Sequence, residues 1–382
     1  MMNDWGNGNY ELLHLALPVG ISFYTFENLS YTVDVYKGHF KPVNKFIDYL
    51  FFLSYFPKLM MGPIVRAADF LPQIRQRIEL KSEDLSYGFY FILTGAFKKM
   101  VISDFLYTNI VQVVFDDPTR YSGLYCLTAV YAYAMVIYCD FSGYSDMAIG
   151  IARWMGLKIE INFLAPYQSS SITEFWRRWH ISLSSWFKDY LYFPLGGSKG
   201  GNWMRIRNTF IIFIVSGFWH GANWTFIIWG ALNAFFILPS IVLKSNRKNL
   251  ETVAQGKLLP TVKEFFQMTV TFTLVVLARI FFRAQSLGHA FQYITGIFSI
   301  KLLSAPSFKE SDTGSFIFPK TFILFILIFM FIEWHGREEQ FAISNLDLKW
   351  RRVFRWSLYI SLVLAIFYLS NFKENTFIYF QF

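Results

Sequence analysis

Long apolar stretches separated by short polar ones set the pattern of this chain. A membrane-spanning helix needs roughly 20 mostly apolar residues. Phe316–Trp334, broken only by Pro319 and Lys320, and the uncharged Trp356–Phe372 approach that length. Phe265–Ala278 continues through Arg279 to Phe282, and Phe210–Leu243 is apolar for long enough to hold two helices with a break near Gly217–Asn223. Earlier stretches are Leu12–Val35, Phe46–Val65, Tyr87–Val114 and Tyr121–Ile151. The pattern predicts an all-α fold, a polytopic membrane helix bundle of about eight to ten embedded helices, some short or re-entrant. No repeat of fixed period and no low-complexity linker divides the chain, so residues 1–382 read as one domain.

The early stretches depart from plain spans. Lys98 and Lys99 fall inside one of them, Asp140 and Asp146 inside another. Such charges are costly against lipid and are expected to face protein or a wet cavity. Phe56-Pro57, Gly62-Pro63 and Gly143 interrupt the same region, and broken helices persist in a membrane only where they pack on protein or line a cavity. A bundle with an internal polar cavity follows. The polar loops Arg66–Asp84, Lys244–Lys263, Lys301–Gly314 and Gly336–Arg355 are candidates for the cytoplasmic face, on the strength of their Lys and Arg residues.

Composition narrows the class. Of 382 residues, 54% are apolar, 21% aromatic and only 16% charged, against about 25% charged in ordinary globular chains. Disordered chains, coiled coils and disulfide scaffolds are excluded, and a soluble enzyme is disfavoured. The net charge of +9 is accounted for by basic loops more economically than by nucleic acid. Met1–Tyr10 lacks a basic n-region and reads as no cleavable signal peptide. Cys126 and Cys139 sit in apolar sequence without metal-type spacing and read as buried, inert thiols.

Three segments carry candidate chemistry. Ile172–Leu191 places Phe175, Trp176, Trp179, Leu183 and Trp186 on one helical face and Glu174, Arg177, Arg178, Lys188 and Asp189 on the other. It reads as a Trp-rich amphipathic helix suited to the membrane interface, with an N-cap from Ser169–Ser171 or Thr173. His180 falls roughly 70° from the centre of the apolar stripe, on its border. The glycine-rich Tyr192–Gly201 lacks the order of a phosphate loop and reads as a turn, with backbone approach to a ligand phosphate as the other reading. Ser216–Trp224 sets His220 between Gly217 and Gly221 in the middle of an apolar helix pair. A histidine there is either a packing residue or a catalytic base, and the glycines allow helices to approach closely. Arg279 and Arg283 share a helix face; reaching out to headgroups is the plain account of them. No cluster of His or Cys argues for a metal.

These stretches resemble the membrane-bound O-acyltransferase family, and within it the alginate O-acetyltransferase branch. The matching blocks are Leu17–Gly38, Phe56–Arg66, Tyr138–Gly156, Asn162–Gly197, Ser216–Trp224, Arg279–Ala284 and the terminal Phe377–Phe382. The resemblance implies a multi-helix fold around a tunnel with a buried histidine at its centre. It implies His220 as the catalytic histidine and His180 as the second polar position paired with it. Trp176, Trp179, Arg177, Ser216, Trp219 and Asn223 become the substrate-binding candidates. It implies no permanently bound cofactor and no metal, with acetyl-CoA or another acyl thioester as donor substrate. The partners implied are the lipid bilayer, periplasmic acetyl-relay proteins and a secreted polysaccharide, with no nucleic acid, at the inner (plasma) membrane. Family members carry further hydrophobic helices before the segment matching Leu17–Gly38, so the chain is expected to lack the first helices. Two alternatives stay open. One is a transporter or flippase for a saccharide precursor, which would use the embedded charges as a path. The other is transfer of D-alanyl groups or acetylation of peptidoglycan.

Overall fold

The computed structural model describes residue 18 and residues 20–244, 252–298, 320–339 and 351–370. Met1–Tyr10, Arg247, Lys248, Lys301–Gly314, Phe316–Pro319 and Phe377–Phe382 lie outside the described residues.

Among the described residues every regular element is a helix. The chain opens with α1 (Ile21–Tyr36), then the short α2 (Phe46–Ser54), α3 (Phe56–Leu59) and α4 (Ala67–Ile74). The breaks fall where Pro57 starts a new helix and where Gly62-Pro63 ends it, since proline lacks the N–H that continues a helix. Arg66–Asp84 is not all loop: α4 turns Phe70 and Leu71 into a small core with Phe52 and Tyr55. Next, α5 (Ser82–Ala96) runs into π-helical turns at Phe97–Ser103 and Tyr107–Val111, interleaved with the short α6 (Asp104–Leu106) and α7 (Gln112–Asp116). The 32-residue α8 (Gly123–Trp154) follows. Beyond it lie α9 (Ile172–Arg178), α10 (Ile181–Phe187), α11 (Gly201–His220), α12 (Trp224–Val242), α13 (Val262–Arg283), α14 (Leu287–Ile297), α15 (Lys320–His335) and α16 (Arg352–Leu369). Four of these, α8, α12, α13 and α16, are long and apolar enough to cross a membrane. The exposed large apolar side chains of α12, α13 and α16, such as Phe235, Phe266 and Phe367, are what a lipid-facing surface requires.

The centre of the bundle is α8, whose 18-residue apolar window is 67% buried. It contacts α5, α13 and α14. Its contact with α5 is close because glycines face each other twice. A Cβ on Gly95 would lie 2.4 Å from the Gly143 carbonyl oxygen, and one on Gly150 2.6 Å from that of Gly88. Both helices repeat the glycine after seven residues, so the two crossings lie on one seam. The α11–α12 hairpin uses the same device: Cβ atoms on Gly217 and Gly230 would meet the carbonyl oxygens of Phe226 and Phe213 at 2.3 and 2.2 Å.

The embedded charges are paired. Consecutive lysines leave the π-helical turn toward two carboxylates of α8. Lys98 Nζ lies 3.0 Å from Asp146, with Glu333 of α15 at 3.5 Å, and Lys99 Nζ lies 2.7 Å from Asp140 and 2.8 Å from Asp104. Glu27 of α1 and Lys58 of α3 form a further buried pair. Each of these carboxylate and lysine groups of α1, α3, α8 and the π-helical turns thus has an opposite charge to meet it. Cys126 and Cys139 are buried and unbridged.

Candidate active site

The Trp-rich segment is not one helix. It breaks at Trp179-His180 into α9 and α10, and His180 takes a left-handed conformation at φ 45°, ψ 56°. That region is uncommon for a residue with a side chain, and a non-glycine residue held there has to be held by its surroundings. The surroundings are the segment after α8. Leu164 N–H donates to the Arg178 carbonyl (3.0 Å), and Ile181 N–H donates to the Asn162 carbonyl (3.0 Å). The Asn162 side chain accepts from Ser182 N–H (3.3 Å) and from the Ser182 hydroxyl (2.6 Å). A break in an amphipathic helix strands backbone groups, and here a neighbouring loop collects them. At the start of α9 the Ser171 hydroxyl accepts from Glu174 N–H (3.2 Å), one of the caps the sequence offered.

The break turns Trp176 and Trp179 toward a cavity. His180 is 3% exposed, its ring 4.6 Å from that of Phe141 and 6.4 Å from that of Phe23. Neither of its ring nitrogens has a hydrogen-bond partner among the described residues. Opposite, α11 ends at His220 and Gly221 breaks the path before Asn223 caps α12. The His220 ring is half-buried, 5.0 Å from Phe282 and 5.2 Å from Trp229, each edge to face.

Both histidines line one cavity of about 210 Å³. Trp176, Trp179 and Ser216 line it as well. Its walls are largely aromatic and aliphatic, with a few polar groups, the composition common to small-molecule sites. Three other candidates lie elsewhere. Trp219 packs beside His220, its ring 4.6 Å away and 5.2 Å from Phe26, but is not among the lining residues. Arg177 is exposed, because the seven-residue α9 spends its inner face on Phe175 and Trp176. Asn223 is exposed too, and its amide is occupied: Oδ1 accepts from Thr225 N–H (3.1 Å) and Nδ2 donates to the Gln285 carbonyl (3.2 Å).

Four polar lining residues were not among the candidates read from the sequence: Asp140, Ser184, Asn233 and Arg279. Asp140 was visible as an embedded charge, but nothing local aimed it at the histidines. Arg279 does not reach to headgroups. It is 5% exposed, and its Nη1 donates to the Ala134 carbonyl (3.1 Å) and to the Tyr167 hydroxyl. The spacing of Val275, Arg279 and Phe282 on one face of α13, with all three in the lining, is the signal that could have found it.

A helical bundle with helices long and apolar enough to cross a membrane, and with two histidines lining one cavity, is the class of protein that fold and cavity define. Residues 39–281 match the membrane-bound O-acyltransferase family, and the chain belongs to that family. It is 39% identical over 299 residues to the probable alginate O-acetylase AlgI of Pseudomonas aeruginosa, covering 78% of this chain and 55% of that protein. Identity to the peptidoglycan O-acetyltransferase of Helicobacter pylori is 35% over 322 residues, 78% of this chain and 59% of that protein. The teichoic acid D-alanyltransferase of Bacillus subtilis is 33% identical over 226 residues, 56% of this chain and 57% of that protein. The chain thus spans between 55 and 59% of the length of these three relatives.

Proposed function

We propose that this protein is an O-acyltransferase of the inner membrane. It moves an acyl group, acetyl in the first instance, from a cytoplasmic thioester such as acetyl-CoA to hydroxyls of an extracytoplasmic polysaccharide. The acceptor is alginate or another exopolysaccharide, reached directly or through an extracytoplasmic partner protein. The observation that carries the reading is the meeting of His180 and His220 in one largely apolar cavity, in a chain of this family.

Acyl transfer from a thioester needs a base for the acceptor hydroxyl and a stabiliser for the oxygen that becomes negative. His220 takes the hydroxyl proton as the acceptor oxygen bonds to the acyl carbon, then returns it to the departing sulfur. His180, with both ring nitrogens free of protein partners among the described residues, orients the acceptor hydroxyl. Trp176, Trp179 and Ser216 shape the cavity around the acyl group.

The test is acetyl-ester analysis of the cell's polysaccharides with the protein, without it, and with His220→Ala in its place. Acetyl esters that appear only with the unaltered protein support the reading. Equal ester content in all three sinks it. A second reading changes only the acceptor and the acyl group, to peptidoglycan acetylation or D-alanyl transfer, and the similarity to relatives bearing those names favours keeping it. Ester found on peptidoglycan, or D-alanine released by mild base, identifies it. The transporter reading loses its motive, since the embedded charges it invoked are paired with one another.

A further inference from the structure

Arg279 is a buried cation that the reaction as described above leaves without a task. Among the described residues its guanidinium has no carboxylate partner within ion-pair distance. Among these residues its positive charge meets dipoles and ring faces. Nη1 donates to the Ala134 carbonyl and the Tyr167 hydroxyl, and the Tyr167 hydroxyl donates in turn to the Ala134 carbonyl at 2.6 Å. The guanidinium carbon lies 4.3 Å from the centroid of the Trp179 ring and 5.3 Å from that of Tyr167. Removing a cation from water without a counter-ion is expensive, and aromatic faces offset it only in part. Arg279 lines the same cavity as both histidines. On α13 it stands three residues before Phe282, whose ring packs on His220, and its Trp179 neighbour directly precedes His180.

We propose that Arg279 is a catalytic residue that holds the oxyanion formed on the acyl carbon. The inference rests on the acyltransferase reading and adds the stabilising group that reading lacks. The acceptor oxygen bonds to the thioester carbon, its proton passes to His220, and the carbonyl π pair moves onto the carbonyl oxygen facing Arg279. The pair returns as the carbon–sulfur bond breaks, and the sulfur takes the proton from the imidazolium. The products are the ester and the free thiol.

The cavity favours a charge that develops there over one that arrives fully formed. A permanent anion would have to leave water for largely aromatic walls that include the Asp140 carboxylate. A thioester carbonyl enters neutral and becomes negative only in the transition state, where a fixed donor acts without reorganisation. Pairing the Arg279 head with one carbonyl and one hydroxyl on a single nitrogen leaves its other N–H groups for that oxygen.

The test uses membranes holding the full chain, with labelled acetyl-CoA as donor and the cell's own polysaccharide as acceptor. Arg279→Gln should lower kcat by about 100-fold or more, the loss typical of one oxyanion donor, while KM for acetyl-CoA changes by less than about threefold. Arg279→Lys, which keeps the charge, should recover part of kcat. S-ethyl-CoA, a thioether with no carbonyl, should inhibit Arg279→Gln and the unaltered protein equally. A purely structural or donor-anchoring role would weaken that inhibition and raise KM, and either result overturns the proposal. So does a kcat for Arg279→Gln within a few-fold of the unaltered protein. If Arg279→Gln does not accumulate, Arg279→Lys and Tyr167→Phe carry the test. Both must then lower kcat with unchanged inhibition by S-ethyl-CoA, and a change in inhibition instead overturns it. An unaltered protein that transfers no acetyl group defeats the functional reading itself. An active protein indifferent to Arg279 defeats only this inference.

Discussion

His180 and His220 reach their shared cavity by different backbone routes, and the difference predicts different responses to substitution. His220 ends a regular helix, so His220→Ala keeps the best helix former in place and opens only a ring-sized gap beside Phe282 and Trp229. We expect normal membrane accumulation and loss of acyl transfer; retained acetylation in a well-expressed variant would assign the ring to packing. His180 sits in the left-handed region, where alanine is strained as well. His180→Ala should therefore lose activity less completely than His220→Ala while also lowering the thermal midpoint. His180→Gly, relieved of the backbone strain, should regain stability without regaining activity. Activity in both His180 variants equal to that of the unaltered protein would show that the ring does not matter there, and an equal midpoint in the two variants would show that the backbone strain does not.

At the scale of elements, the fold depends on helices that approach to backbone contact. A side chain at Gly143 would collide with the Gly95 carbonyl oxygen, 2.7 Å from its Cβ, on the seam between α5 and α8. The same seam delivers Lys98 and Lys99 to Asp146 and Asp140, and Asp140 lines the cavity. Gly143→Val should thus cost about 1–3 kcal/mol through overpacking and lower activity by displacing α8 beside the site. Thermal unfolding in detergent, read alongside acetyl transfer, checks it. An unshifted midpoint would mean the two helices separate without penalty. A valine at Gly256, where a Cβ would meet nothing within 4 Å, is the wrong control because φ there is +68°. Gly296, also open and without positive φ, is the right one.

For the whole molecule the question is which face takes the donor. Coenzyme A carries phosphates that do not cross lipid unaided, so the proposed donor is one that enters from the cytoplasm. The basic segments containing Arg75 and Lys257 are the candidates for that side. A cysteine placed at Lys257 in intact cells should resist an impermeant thiol reagent and react once the cells are opened. Cys126 and Cys139, both buried, should stay silent and keep the background low. Labelling from outside would reverse the proposed direction of entry while leaving the acyltransferase reading in place.

The sequence by itself determined a helical bundle with segments long and apolar enough to cross a membrane, because hydropathy over about 20 residues is a local property and lipid allows few alternatives. It located a break near Gly217–Asn223, and it marked Lys98, Lys99, Asp140 and Asp146 as charges that must face protein or a wet cavity. It also singled out His180 and His220, which the fold brings to one cavity. What it did not contain was the break at Trp179-His180. The helical period runs unbroken through Ile172–Leu191, and the interruption is paid for by Leu164, Ile181 and Asn162, which meet there only once the chain has folded. The inward turn of Arg279 was hidden for the same reason, since a lone arginine near a helix end reads as a headgroup contact until Tyr167 and Trp179 are seen around it. Tertiary structure decided both, because each depends on hydrogen bonds and ring faces supplied by residues far away in sequence, and no periodicity encodes those.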